Sequence, residues 1–253
     1  MNISWESQVS DVVNAPESAR TVAEALRRMI ADGRLKDGDD LPDETGLMLH
    51  FGVDHSVIRD AIRILETEGV VEMGPNAERG AQRGEAEPET VAGPSALLLD
   101  LAGATIADVL TTRAGIEPLA ARLLAESNND YALNEIEGLI TVDVPAGWRS
   151  GDLAETTARF HRRLVELSGN ETLAMIAGML HDITVRHTAA AIGRARPVPE
   201  SEYDKLSRSY QRLLKLLRAH DGPGAEAHWR RHMDTARGIM VRGYENAKVR
   251  DMR

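Results

Sequence analysis

Cysteine is absent from the 253 residues, which excludes disulfides, thiolate nucleophiles and any Cys-ligated zinc site. Aromatic residues are scarce, at 4%, and Leu, Ala, Ile and Val fill the apolar quota instead. That balance suits helix packing better than a β-sandwich. No apolar run is long enough to span a bilayer, so the expectation is a soluble chain of two domains with no membrane partner. Basic charge is also in deficit, because 30 Lys and Arg face 40 Asp and Glu and leave a net charge of −10. The opening residues MNISWESQVSDVV carry acids and no base, unlike a secretory signal, and the cytoplasm is the expected compartment.

What is present is concentrated between Leu41 and Gly84. Asp43 is placed to cap a short helix ending at Phe51, with Leu47 and Leu49 as its apolar residues beside Met48. Gly52 stops it, as a residue free to take positive φ does. Asp54 then caps a second helix in which Val57, Ile58, Ala61, Ile62 and Leu65 recur at helical spacing. Two helices joined by a tight glycine turn predict a helix-turn-helix, the second helix being the one that enters a DNA groove. After Gly69, Val70 to Met73 reads as a short strand, and Gly80 to Gly84 as its returning partner in a small β wing.

This stretch resembles the winged-helix domain of GntR-type transcriptional regulators. The turn motif G-x-L-x-x-G-x-x-L-P of that family is matched in order by Gly33 to Pro42. The next segment, F-G-V-S-R-x-x-V-R-E-A-L-R-x-L-E-x-E-G, aligns with Phe51 to Gly69. Phe51, Gly52, Val53, Arg59, Ala61, Arg63, Leu65, Glu66, Glu68 and Gly69 match outright; Ile58, Asp60 and Ile62 are close substitutes. The resemblance implies DNA contacts from Arg59 and from two further positions that hold arginine in the family. Here those positions are Thr45 and His55. Ser56 and Arg63 lie beside Arg59, and the wing offers Arg79, Gly80 and Arg83. Arg63 reads equally as a solvated partner of Glu66 or Glu68. Residues 17–85 carry nine basic against fifteen acidic side chains, a surplus of the wrong sign for phosphate neutralisation.

The remaining organisation follows from punctuation. Residues 1–16 read either as a mobile arm or as a short helix anchored by Trp5. Residues 17–85 form the winged helix, and 86–100 a linker whose first part, Ala86 to Pro94, is turn-rich. Residues 101–250 form an all-α antiparallel bundle of about six helices. Its helices are expected over 106–123, 131–140, 152–167, 171–192, 201–220 and 224–248, with Thr141 to Gly151 as a loop and a break over Arg194 to Pro199. The fold class is therefore mainly α.

This second part resembles the FCD effector domain found in the FadR branch of that family. The resemblance is carried by Arg113 with Glu117-Pro118, by Ala120-Ala121-Arg122-Leu123, by Phe160-His161 with Gly169-Asn170, and by Ala225 with Arg231-His232-Met233. Many such domains hold a divalent metal (Zn, Ni or Mn) through an Asp and three His. His161 and His232 stand at two of those positions, whereas Thr157 and Tyr210 occupy the other two. A hydroxyl and a phenol replace an anionic carboxylate and an imidazole, and two imidazoles alone make a weak site. Without a metal, the resemblance implies a small carboxylate or acyl-type effector, with Arg113 as carboxylate clamp and Thr157, His161, Tyr210, His232, His181 and Arg186 around it. The competing reading of Arg113 is a surface i,i+4 pair with Glu117.

His228 and His232 in HWRRH are one helical turn apart, as on a zinc-binding helix face, but the acid that follows the first His in HExxH hydrolases is missing. The leading reading is a homodimeric, ligand-responsive repressor that reads a palindromic operator. The alternative is a helical small-molecule-binding protein with weakened or lost DNA binding. A metal hydrolase is a third reading, unsupported by any nucleophile or phosphate loop.

Overall fold

The computed structural model describes residues 19–33, 41–73, 81–83, 88–194, 198–241 and 246–249. The chain divides into two compact units, residues 1–90 and 91–253.

In the first unit, α1 (Ala19–Ala31) and α3 (His55–Thr67) face each other through residues at helical spacing: Val22, Ala23, Leu26 and Ile30 against Ile58, Ala61, Ile62 and Leu65. The short α2 (Glu44–Phe51) adds Leu47 and Phe51 to that core. Asp43 caps α2 by accepting from the Gly46 amide at 2.7 Å, and Gly52 ends it at φ 63°. Leu49 does not join Leu47 inside; it is 82% exposed. Asp54 stands at the start of α3 with extended backbone but makes no side-chain cap bond. Arg27 grips the Glu68 carboxylate in a forked contact at 2.8 to 3.0 Å, tying α1 to the end of α3. β1 (Val71–Met73) then pairs antiparallel with β2 (Ala81–Arg83), Glu72 opposite Gln82. The expected wing is present at its base. The glycine turn over 34–40, residues 1–18 and the wing tip lie outside the described residues.

The second unit opens with a correction. The segment read as a turn-rich linker is helical, α4 (Pro88–Leu101). Pro88 is the first helical residue, where its missing N–H costs nothing; only Pro94 interrupts the ladder. Gly103 at φ 73° turns the chain, and Thr105 and Asp108 close a capping box on α5 (Ile106–Glu126). α6 (Asp130–Gly138) runs through a π-helical turn (Leu139–Asp143) directly into α7 (Val144–Ser150). The expected loop over Thr141 to Gly151 is thus a further helix. Pro145 falls in its first turn, and Gly147 packs where a Cβ would collide with the Thr156 side chain.

α8 (Leu153–Glu166), α9 (Glu171–Arg194), α10 (Glu200–Arg218) and α11 (Gly222–Met240) complete the bundle. α11 stops well short of Lys248. The chain returns instead to the start of α5, where Thr105 bridges Lys248 and the Ile106 amide donates to the Ala247 carbonyl at 2.9 Å. The bundle core contains Leu124, Leu133, Ile136, Leu164, Leu213 and Leu217 around Phe160, Tyr210 and Trp229.

Candidate functional site

Three helices of the second unit, α5, α8 and α11, converge on one buried carboxylate. Glu117, on α5, is 2% exposed. Arg113, one turn earlier, donates from Nε to Glu117 Oε1 at 2.8 Å. His161 on α8 lies with Nδ1 2.5 Å from Glu117 Oε2, and Trp229 on α11 donates to the same oxygen from Nε1 at 3.2 Å. Burial alone would raise the Glu117 carboxyl, but Arg113, His161 and the hydrogen bonds from His161 and Trp229 outweigh it and hold the group at about 2. Glu117 is therefore a carboxylate, and His161 must donate through Nδ1–H. Its Nε2 is then an acceptor, and it receives the Tyr210 hydroxyl at 3.2 Å. Burial keeps Tyr210 protonated by raising its phenol, so this donor persists.

A second chain of contacts runs along α10 and α11. His228 Nε2 is 2.8 Å from the Ser209 backbone carbonyl, which can only accept, so Nε2 carries the proton. The Ser209 hydroxyl lies 2.9 Å from His232 Nδ1. Ring stacking fixes the His232 plane, with Trp229 at 4.2 Å and 13°. His232 Nε2 is buried and has no hydrogen-bond partner among the described residues. Burial, reinforced by neighbouring His161, pushes His232 down to about 3, and burial lowers His161 and His228 as well.

Between these two arrays lies a cavity of about 110 Å³, lined by Arg113, Thr157, His161, Tyr210, His232 and, on α11, Arg237, together with apolar side chains of α5, α8, α10 and α11. Five of the seven side chains expected around an effector thus line one space. Arg113 and Glu117 do form the i,i+4 pair, but it is buried (10% and 3% exposed), and Arg113 still lines the cavity. Thr157 brings no free hydroxyl hydrogen, since it donates to the Leu153 and Ala154 carbonyls. His181 lies apart, lining a smaller cavity of about 20 Å³ with Arg113, Glu117 and Thr184. Arg186 is on α9, and its side chain falls outside the described residues. His228 is buried and bonded to Ser209 rather than solvated.

Glu117, Trp229 and Ser209 were missed as site residues. Glu117 was visible as part of Glu117-Pro118 and as a surface i,i+4 partner of Arg113, and nothing in its spacing distinguishes a buried carboxylate from a surface one. Ser209 adjoins Tyr210 but has no signature of its own.

The residues present do not fit a divalent metal. The lone pair of His161 Nε2 is taken by Tyr210, and Thr157 replaces a charged donor. The His161 and His232 rings are stacked, with centroids 5.6 Å apart and planes 27° apart. Among the described residues no group of three or more His, Asp or Glu is placed to hold an ion.

In the first unit, His55, Ser56, Arg59 and Arg63 share the exposed side of α3, and Thr45 is exposed on α2. Arg59 has no carboxylate partner among the described residues. His55 Nε2 is paired with Glu44 on α2, and Arg63 lies 3.9 Å from Asp60 rather than from Glu66 or Glu68. Arg79 and Gly80 lie outside the described residues, as does the side chain of Arg83 in β2.

Comparison with known families assigns these units. Residues 18–77 match the model for bacterial regulatory proteins of the gntR family, and residues 108–235 match the FCD domain. The chain belongs to the GntR family. Across the family, similarity extends over most of the molecule. The HTH-type transcriptional regulator YcbG of Bacillus subtilis is 25% identical over 93% of this chain and 95% of its own length. The Glc operon transcriptional activator of Escherichia coli K12 is 26% identical over 78% of this chain and 80% of its own. The transcriptional repressor NanR of Citrobacter rodentium is 27% identical over 85% and 82%. A solved structure of Streptococcus agalactiae GntR shares the fold, with a TM-score of 0.68, 20% identity, and coverage of 87% of this chain and 98% of that one. A GntR head joined to an FCD domain makes this a DNA-binding transcriptional regulator with an effector-binding domain, not an enzyme.

Proposed function

We propose that the chain is a homodimeric, sequence-specific repressor whose operator binding is controlled by a short carboxylate held in the α5–α8–α10–α11 cavity. The observation that carries this reading is the cavity itself. A guanidinium, a phenol and two imidazoles converge on a space within the FCD segment. Its volume, about 110 Å³, is below the ~150 Å³ that accommodates benzene, which favours a ligand of a few heavy atoms over a long acyl chain. Arg113 supplies the cationic donor for a carboxylate. α3 supplies the groove-reading surface, with Arg59, which has no carboxylate partner among the described residues, as its base-contacting cation and Ser56, His55 and Arg63 beside it. Relatives named as a repressor and as an activator both occur, so the sign rests on experiment.

Selection of bound duplexes from a randomised pool, followed by titration of the selected site with acetate, propionate and 2-hydroxypropionate, tests the proposal. Enrichment of one palindrome, released by at least one of these anions, is expected. Enrichment without any anion response refutes the effector half. A second reading, a ligand-binding protein with weakened DNA binding, is favoured by the Glu44–His55 pair, which masks a recognition-helix donor with an acid. It predicts a salt slope near zero for DNA binding, whereas the repressor predicts a steep one.

A further inference from the structure

The contacts around His232 fix more than its position. His228 Nε2–H is committed to the Ser209 carbonyl at 2.8 Å, so the longer 3.4 Å approach of the same nitrogen to Ser209 Oγ takes little of that proton. The Ser209 hydroxyl hydrogen is then directed at His232 Nδ1, 2.9 Å away. A neutral His232 that accepts at Nδ1 carries its hydrogen on Nε2. That nitrogen is buried and has no partner among the described residues. An orphan buried donor is costly, and natural cores rarely keep one without a reason.

Arg113, in the same lining, suits the same kind of guest. Arg113 spends Nε on Glu117, and its two terminal nitrogens have no partner among the described residues. The Glu117 carboxylate balances Arg113, and Arg237, 3.9 Å from Asp234, adds a guanidinium to the lining, so the cavity can take one anion. His161 offers no lone pair, because the Tyr210 hydroxyl fills it. Both histidines thus present the wrong valence for an ion: one nitrogen is capped by a donor and the other already bears hydrogen.

We propose that this cavity is a metal-independent receptor for a small monoanion, in which Arg113 and the Nε2–H of His232 donate to the ligand and Ser209 is the positioning residue that sets the His232 tautomer. The Glu117–His161–Tyr210 chain holds the His161 ring from both nitrogens and leaves it no lone pair for an ion. The ligand is recognised as a hydrogen-bond acceptor of one negative charge, and a second chelating oxygen next to the carboxylate brings no advantage. This rests on the effector half of the proposed function and is independent of whether the head binds DNA.

The test uses the full chain, treated with a chelator and dialysed. Thermal unfolding is followed with propionate, with 2-hydroxypropionate, and with Zn²⁺, Ni²⁺ or Mn²⁺ alone and together with each anion. Propionate should stabilise the chelated protein, 2-hydroxypropionate should bind within a few-fold of it, and no metal should raise either affinity. Nitrogen NMR of the histidine-labelled protein should show His232 protonated at Nε2. Ser209→Ala should weaken propionate about 5- to 10-fold, the worth of one net hydrogen bond, and Ser209→Thr should restore most of it. A stoichiometric ion that survives chelation, anion binding that requires added metal, failure of both anions to bind the chelated protein, or an Nδ1-protonated His232 would each overturn the inference. If the chelated protein binds propionate but selects no DNA, the receptor stands and the repressor reading fails; if it selects an operator but responds only through a metal, the reverse holds.

Discussion

Replacing Glu117 by Gln is the sharpest probe of the buried network. The substitution keeps volume and shape but removes the negative charge that Arg113, His161 and Trp229 share. The amide can accept from one of the three donors while its own N–H₂ faces another. Arg113 is left as a cation only 10% exposed with no carboxylate in reach. Breaking one side of a buried pair in this way costs about 3–5 kcal/mol, because the surviving charge stays desolvated. The double replacement Arg113→Met with Glu117→Leu removes both charges and should be no less stable than Glu117→Gln, since apolar pairs of similar volume often substitute for buried ion pairs, while the His161 and Trp229 donors it leaves unmet keep it below the parent. Urea unfolding of the full chain, with Trp5 and Trp148 changed to Phe so that Trp229 alone reports, measures both. A Glu117→Gln loss below about 1 kcal/mol, or a double variant worse than the single one, would refute the claim that this carboxylate anchors the bundle.

Stability should fall on mild acidification. His232, held at about 3 against an ordinary 6.5, binds fewer protons folded than unfolded; its contribution is complete above pH 6.5 and declines as pH drops towards 3, by up to about 1.4 kcal/mol per pH unit. His161 and His228, both lowered, act in the same direction, and Glu117 adds its own loss only below its ordinary 4.5. His232→Gln should therefore flatten the slope between pH 6.5 and 4.5 in denaturation series. In the head, Arg59→Ala should weaken binding to the selected duplex by about 1–3 kcal/mol and reduce sequence preference, read by fluorescence anisotropy; an unchanged preference would remove Arg59 from the base-reading set. Glu44→Ala releases His55 and removes an acid beside the recognition helix, so affinity for DNA should rise and its salt dependence steepen. Gly147→Ala forces a Cβ to within 2.8 Å of Thr156 Cβ and should cost about 1–3 kcal/mol in the same urea assay.

The head was legible because its signals are local. Asp43 and Gly52 bound α2 through their own backbone needs, and the spacing of Ile58, Ala61, Ile62 and Leu65 declares which side of α3 is buried. The expectations that failed involved proline and glycine. Pro88 and Pro145 read as breakers, yet each sits in a first helical turn, where proline fits; position within the turn decides, and one sequence does not reveal it. Gly147 read as loop flexibility, whereas its role is to let α7 approach Thr156, a contact made only after folding. Leu49 shows the limit of counting apolar residues on a short helix, because two residues on from Leu47 lies across the helix from it.

The cavity divides along the same line. Arg113, Thr157, His161, Tyr210 and His232 could be gathered from a resemblance between motifs, and they do line one space. What that space accepts depends on contacts between helices far apart in sequence, which no motif contains. Thr157 and Tyr210 look in sequence like the loss of two ligands. In the folded bundle Tyr210 is a replacement part: its hydroxyl occupies the lone pair of His161, and Glu117, 44 residues before that histidine, holds the ring from the other side. A histidine caught between a carboxylate and a phenol is a structural strut, and His232, held by Ser209 and stacked on Trp229, lines the cavity with one buried nitrogen unmet among the described residues. Two residues of identical chemistry in the sequence thus take opposite roles, and the difference is set by which of their nitrogens the fold leaves unmet.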